Sequence, residues 1–273
     1  MSEIDNVDLE IEMLIEVLLK KFKYDFRQYS RSSLRRRLEN ATSRFNVQTI
    51  SHLQARLLHD ASFLSHLLDY LTVGTTEMFR DPEYFRELRE NVMPYLKTFP
   101  SLKIWIAGCS TGEEVYSLAI LLREEGLLEK SIVYATDINV HRLEIAKRGI
   151  YSTEIIRKGT ENYRLAGGKN SFSEYFTAAY EAAQMDPTLI RNVVFSDHSL
   201  STDEVFAETH LVSCRNVLIY FDRPLQNRAV NLFRDSLVRG GFLGLGSKET
   251  LRFLDAAPEF STVNERERLF QKL

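Results

Sequence analysis

Between residues 5 and 71 the apolar positions recur at helical spacing: Leu14, Leu18 and Phe22, then Leu34 and Leu38, then Leu53, Leu57, Leu64, Leu67, Leu68 and Leu71. Separations of three and four residues line one face of an α-helix, so this stretch predicts three or four short helices. No glycine or proline interrupts the chain before Gly74, after which Pro82, Pro94 and Pro100 follow. Such punctuation predicts a boundary near Thr72, with 1–72 a small all-helical N-terminal domain and 73–101 a linker and first helix of what comes next.

From Leu102 the pattern changes. Short apolar runs, LKIWIA, IVYAT, VVF, THLVSC and GFLGLG, are separated mostly by helical stretches. Alternation of this kind predicts an α/β fold over 102–273, a mostly parallel Rossmann-like sheet with helices on both faces. The segment 151–192 departs from it: YSTEIIRKGTENYRLAGGKN is polar and SEYFTAAYEAAQ suits strand or helix equally. It reads as a small insertion whose structure the pattern leaves open.

Composition narrows the function classes. A 273-residue chain with 44% apolar residues has material for a real core. Its net charge of -3 and pI near 6.1 give no reason to expect nucleic-acid binding. Cys109 and Cys214 form no CxxC pair, which suits a reducing cytoplasm. The start MSEIDNVDLEIEM lacks a basic region followed by an apolar run, and no window approaches about 18 apolar residues, so neither secretion nor membrane insertion is expected. His52, His59 and His66 recur every seven residues. On a helix such positions lie about 10 Å apart, too far to share one ion, so no metal is expected. No GxSxG elbow supports a serine hydrolase.

The segment Leu102 to Glu114 carries the first candidate chemistry. It passes from an apolar run through a turn with glycines at 108 and 112 into a helix starting at Glu113. Small residues in the turn let a ligand approach the backbone, and a helix N-terminus offers free N–H groups. Asp137 ends the next strand, 25 residues beyond Gly112, near the separation at which Rossmann-like folds place an acid on ribose hydroxyls. Together these predict an adenosine site. The turn is GxxxG rather than GxGxxG, and Glu113 and Glu114 at the helix start would repel a pyrophosphate. A nucleoside without phosphates fits better than NAD. S-adenosylmethionine is such a ligand, and its cationic groups give Glu114 a partner. Against this, both glutamates also suit the positive end of a helix dipole without any ligand.

Four strings in order, LTVGTTEMFRDPEYF (71–85), AGCSTGEEVYSLA (107–119), ATDIN (135–139) and SCRNVLIYFD (213–222), resemble the bacterial methyltransferases that act on glutamates of chemotaxis receptors. The resemblance covers nearly the whole chain and is weakest over 151–192. It implies S-adenosylmethionine as methyl donor, S-adenosylhomocysteine as product and no metal. It also implies cofactor contacts at Thr76, Arg80, Glu114, Asp137, Arg215 and Asn216, beside the contact expected at Gly108 of the glycine turn, and roles for Arg80 and Tyr220 beside the reacting methyl. Many members carry asparagine where this chain has Gly74, and an Asn-Leu pair where it has Ser199 and Leu200. Contacts at 199 and 200 are then expected through the backbone. Taken without the motif, Arg80 pairs as readily with Asp81 or Glu83, and Tyr220 reads as a core aromatic.

Arg31, Arg35, Arg36, Arg37 and Arg44 gather on one predicted helix, while the first 16 residues hold six acids and no Lys or Arg. The two segments either face each other or water, or, as the resemblance implies, Arg35, Arg36 and Arg37 dock on the acidic helical cytoplasmic region of methyl-accepting receptors. The resemblance further implies a cytoplasmic monomer recruited to membrane receptors, with no nucleic-acid partner. Two other functions stay open: a cofactor-binding signalling module with little turnover, and methylation of another acceptor.

Overall fold

The computed structural model describes residues 5–273 apart from Val73 and Thr75. The chain groups into two compact units. One holds the residues up to Gly74 together with Leu200–Asp203 and Tyr220–Ala229; the other holds the remaining segments.

Among the described residues up to Gly74 lie the helices α1 (Asn6–Phe22), α2 (Arg31–Arg44), α3 (Ile50–His59) and α4 (Phe63–Leu71). Asp5 starts α1 by accepting the Val7 N–H, and Lys23 ends it in the left-handed conformation. The helical stripes are the buried faces. Ile11, Leu14, Ile15 and Leu18 of α1, Leu34 and Leu38 of α2, Leu53 and Leu57 of α3, and Leu67, Leu68 and Leu71 of α4 are all closed to solvent. His52, His59 and His66 are exposed, and no group of His, Cys, Asp or Glu among the described residues is arranged to hold a metal ion.

The second unit begins with α5 (Pro82–Glu87), a π-helical turn (Leu88–Val92) and α6 (Met93–Leu96). Then follow β1 (Leu102–Ala107), α7 (Glu113–Glu124), β2 (Ser131–Asp137), α8 (Val140–Arg148), β3 (Ile150–Ser152), α9 (Thr153–Leu165), β4 (Phe176–Ala179), β5 (Ala182–Met185), β6 (Val193–Asp197) and β7 (Thr209–Cys214). Helix α10 (Arg223–Ser236) leads into β8 (Leu237–Leu245), and β9 (Phe260–Asn264) and β10 (Leu269–Lys272) close the chain. All five predicted strands are present and make the parallel part of a seven-stranded sheet, ordered β6-β2-β1-β7-β8-β10-β9. The pair β9 and β10 adds an antiparallel edge that the sequence pattern did not announce. The insertion settles as helix α9 with a three-stranded antiparallel sheet, β3-β5-β4.

The chain builds β1, β2 and β6 outward on one side, then returns to lay β7 and β8 on the other. The reversal lies between β1 and β7, and a crevice at such a switch point, outside the carboxyl ends of the strands, is where open α/β sheets bind ligands. Helix α7 leaves this point and is buried from Val115 to Leu122.

The far end of α7 is held by ion pairs. Arg89, presented by the π-helical turn, reaches Glu124 at 2.5 Å and Glu125 at 2.8 Å, while Lys97 and Lys169 also pair with Glu125. Burial pushes the Glu125 carboxyl up, but the hydrogen bonds from Lys169, Lys97 and Arg89 outweigh it and bring the pKa from 4.5 to about 2. A carboxyl depressed in the folded state adds stability that is complete above its ordinary pKa and is lost as pH falls toward the depressed one. The acid limb of a melting-temperature curve between pH 4.5 and about 2 is therefore expected to be shallower in Glu125→Gln. Curves of equal slope would contradict this.

Candidate active site

Backbone pairing builds the crevice. Register sets Ala107 beside Thr136, and the Thr136 carbonyl accepts the N–H groups of both Gly108 and Cys109 at 2.8 Å. The turn after β1 is thereby tied to the end of β2. Gly108 and Gly112 sit at φ 78° and 94°, a region that favours glycine. A Cβ at Gly108 would lie 2.5 Å from Val217, and one at Gly112 2.7 Å from Ala146. Protein atoms already fill the directions in which these glycines lack side chains, so their smallness serves close packing of the turn.

Asp137 is buried at the tip of β2. Its Oδ2 accepts the Ser110 N–H at 2.8 Å and its Oδ1 the Asn139 N–H at 2.9 Å. Burial pushes the carboxyl above its ordinary value, against the pull of these backbone donors. Ser110 has a positive φ of 50°, and its buried hydroxyl finds no partner among the described residues. Ser199 follows β6, half-buried, and the preceding His198 N–H donates to the Asp137 carbonyl at 3.3 Å.

On the other strand of the switch point, the Arg215 guanidinium follows β7 with its side chain 1% exposed. It pairs with Asp81 at 2.6 Å and Glu114 at 3.5 Å and lies 4.1 Å from the centre of the Tyr84 ring. Glu114 also accepts the Ser213 hydroxyl at 2.6 Å. Its neighbour Glu113 turns inward, buried, and takes the Thr111 hydroxyl at 2.7 Å; burial raises its carboxyl. The two glutamates thus separate: only Glu114 joins Arg215.

Thr76 and Arg80 lie on the segment entering α5, both half-buried. On either side of Arg80, Phe79 and Asp81 adopt φ 51° and 55°. A positive φ is costly for a bulky residue and persists only where surroundings impose it. Here they do. Ser117 accepts the Phe79 N–H at 2.8 Å, the Phe79 ring packs on Phe85 and Tyr163, and Asn162 donates to the Met78 carbonyl at 3.0 Å. Asp81 pairs with Arg215, and Glu83 with Arg86.

Asp81, Ser213 and above all Glu249 were not apparent from sequence. Glu249 is buried, and its carboxylate accepts the N–H groups of Gly246 at 2.6 Å, Asn216 at 2.9 Å and Ile219 at 3.3 Å. It fastens the loop after β7, in which Asn216 has φ 61°. An acid shortly after an apolar run carries no distinguishing spacing, so no signal in the chain marked it.

Leu200 and Tyr220 group with the helical unit. Leu200 is buried there, and Tyr220 is half-buried with its ring 4.3 Å from the Arg37 guanidinium. This corrects the docking expectation for Arg37, which is 7% exposed and donates to the Leu71 carbonyl. Burial also holds the Arg37 pKa below the ordinary arginine value. Arg35 is shared among Asp5, Asp8 and Glu39, and Arg31 pairs with Glu12, so acids of the N-terminal segment do face arginines of α2. Arg36 is exposed.

Residues 74–268 match the family model described as CheR methyltransferase, SAM binding domain, and residues 9–72 match that of the CheR methyltransferase all-alpha domain. The chain belongs to the CheR methyltransferase family. It carries that family's S-adenosylmethionine-dependent methyltransferase domain on the sheet and its all-helical domain in front. The putative methyltransferase Cher3 of Pseudomonas putida is 57% identical over 98% of this chain and 98% of its own length. A chemotaxis protein methyltransferase of Listeria innocua is 29% identical over 89% of this chain and 92% of its own. An uncharacterized 104.1 kDa protein of Rhodobacter capsulatus is 30% identical over 95% of this chain, which spans 27% of that protein.

The residues present suit the family's cofactor. A carboxylate has about four acceptor positions, so Asp137 keeps capacity for ribose hydroxyls after accepting two N–H groups. Ser110 adds an orphaned hydroxyl in the same turn. Asp81 and Glu114 set two carboxylates against the single guanidinium of Arg215, an excess that favours a cationic ligand group.

Proposed function

We propose that this chain methylates glutamate side-chain carboxylates of chemotaxis-type receptors, using S-adenosylmethionine and releasing S-adenosylhomocysteine and a glutamyl methyl ester. Thr76, Arg80, Gly108, Glu114, Asp137, Ser199, Leu200, Arg215 and Asn216 hold the cofactor in this reading, and Arg80 and Tyr220 align the acceptor.

The observation carrying it is the commitment of the crevice carboxylates. Asp137 accepts two backbone N–H groups, Glu114 accepts Ser213 and Arg215, and Asp81 accepts Arg215. These carboxylates are already occupied by protein donors, whereas an acceptor that must lose a proton needs a base free and within reach. A glutamate acceptor needs none, being ionised at neutral pH with an ordinary pKa of about 4.3. When bound, S-adenosylmethionine supplies a methyl on a cationic sulfur that departs as a neutral thioether. Charge is lost on the way to the transition state, so orientation and exclusion of water carry the acceleration. A tight ion pair would stabilise the nucleophile and slow it; Arg80 and Tyr220 serve by alignment.

On this reading the chain works in the cytoplasm as a monomer and meets the helical cytoplasmic region of receptors at the membrane, with Arg36 as the exposed member of the docking arginines. No helix among the described residues is long and apolar enough to cross a membrane. The test incubates labelled S-adenosylmethionine with receptor cytoplasmic fragments and then treats with base. Release of volatile methanol is expected. Intact cofactor binding without base-labile label would favour a module with little turnover, and base-stable label would point to another acceptor.

A further inference from the structure

Residues 220–222 are held along their backbone by the N-terminal helical segment. The Tyr220 carbonyl accepts the Ser30 N–H at 2.8 Å, and the Asp222 N–H donates to the Gln28 carbonyl at 2.9 Å. Tyr29 and Phe221 form an antiparallel bridge between them, with ring centres 5.0 Å apart. The strand-like stretch Gln28–Ser30 thus clamps the backbone of 220–222 and runs directly into α2. One helical excursion later α2 returns Arg37 to the Tyr220 ring, 4.3 Å from its centre.

Arg37 is an expensive residue for that place. It is nearly closed to solvent, yet its Nε and Nη2 find no hydrogen-bond partner among the described residues. Burying a guanidinium with unmet donors is unfavourable, and an apolar side chain of similar volume would fill the space without that cost. Besides the hydrogen bond to the Leu71 carbonyl, what the guanidinium supplies is a cation over the face of an aromatic ring, an attraction that strengthens when both are desolvated.

We propose that Arg37 is a positioning residue for Tyr220: the backbone clamp fixes where the residue sits, and the stacked guanidinium fixes how its ring is turned. This rests on the assignment of Tyr220 as an alignment residue for the acceptor. It gives the helical segment a part in catalysis that is separate from docking a partner.

The test uses the full chain labelled with 3-fluorotyrosine, in which the Tyr220 fluorine resonance is identified by its loss in Tyr220→Phe. Arg37→Leu is expected to move and broaden that resonance, Arg37→Lys to move it less, and Arg44→Leu, at the exposed far end of α2, to leave it in place. Melting temperatures of each variant exclude loss of fold, and Arg37→Lys keeps the comparison open should Arg37→Leu fail to fold. In methyl transfer, Arg37→Leu is expected to lower kcat about tenfold with cofactor Kd unchanged, the order expected for a misoriented alignment group. Added to Tyr220→Phe, it should lower kcat little further. A Tyr220 resonance unmoved by either Arg37 variant, or kcat losses that multiply in the double variant, would overturn the proposal. If the parent chain makes no base-labile methyl ester, the glutamate reading fails, while the fluorine resonance still decides whether Arg37 orients Tyr220.

Discussion

Asp137→Ala is expected to weaken S-adenosylmethionine binding by on the order of a hundredfold or more, read by calorimetry, with a lower melting temperature. The reason is the double engagement of one carboxylate. Its two oxygens hold the N–H groups of Ser110 and Asn139 and so shape the turn. In the proposed cofactor site the acceptor capacity left over would receive ribose hydroxyls, and a hydrogen bond to a charged acceptor contributes about 1.5–3 kcal/mol. Alanine removes both contributions and leaves two buried N–H groups without an acceptor. Asp137→Asn keeps the shape but turns a donor toward donors, so it should fall between alanine and the parent chain. Unchanged affinity in Asp137→Ala would remove Asp137 from the cofactor site and leave it a purely structural group.

Glu249→Ala should destabilise the protein by about 3–5 kcal/mol, from the loss of a buried acceptor shared by several backbone N–H groups at about 1–3 kcal/mol each. For a chain of this size that is a fall of roughly 10 °C in melting temperature. The consequence for activity follows from what those N–H groups belong to. Asn216 and Ile219 bracket the loop after β7, and Asn216 is kept at a positive φ. With the carboxylate gone, the loop loses the anchor beside Arg215, and cofactor affinity should drop even at temperatures where the fold persists. Glu249→Gln keeps one carbonyl acceptor and should lie between the two. A normal cofactor Kd in folded Glu249→Ala would show that the loop is held by other means.

Much of the fold was legible because it depends on periodicity. Helical stripes such as Leu14 and Leu18 or Leu53 and Leu57 are buried as their spacing required, since a helix in water must cover its apolar face. The five apolar runs from LKIWIA to GFLGLG became the parallel strands because a strand covered on both faces has few polar positions. The β9 and β10 edge was not legible: FSTVN is short and mixed, and an edge strand carries no continuous apolar run. SEYFTAAYEAAQ stayed ambiguous because alanine and alternating aromatics suit a hairpin and a helix alike, and only pairing between β4 and β5 decided it.

The site divides in the same way. That Asp137 would come to lie beside the glycine turn was visible because the links between them are local in the βαβ unit: strand, turn, helix, strand, acid. The charge of α2 was visible as well, but charge along a sequence does not say which way a side chain points. Arg36 and Arg37 are neighbours in the chain, yet one is exposed and the other is buried against Tyr220. Asp81 with Arg215, and Glu249 with Asn216, join residues separated by long stretches of chain. The second partnership comes from the sheet order that sets β8 beside β7, and the first from the fold of the segment entering α5. Sequence alone determined the helical and strand periods, the nearness of Asp137 to the glycine turn and the family; tertiary structure alone decided which charges meet, because pairing depends on distance in space, and no local pattern records that distance.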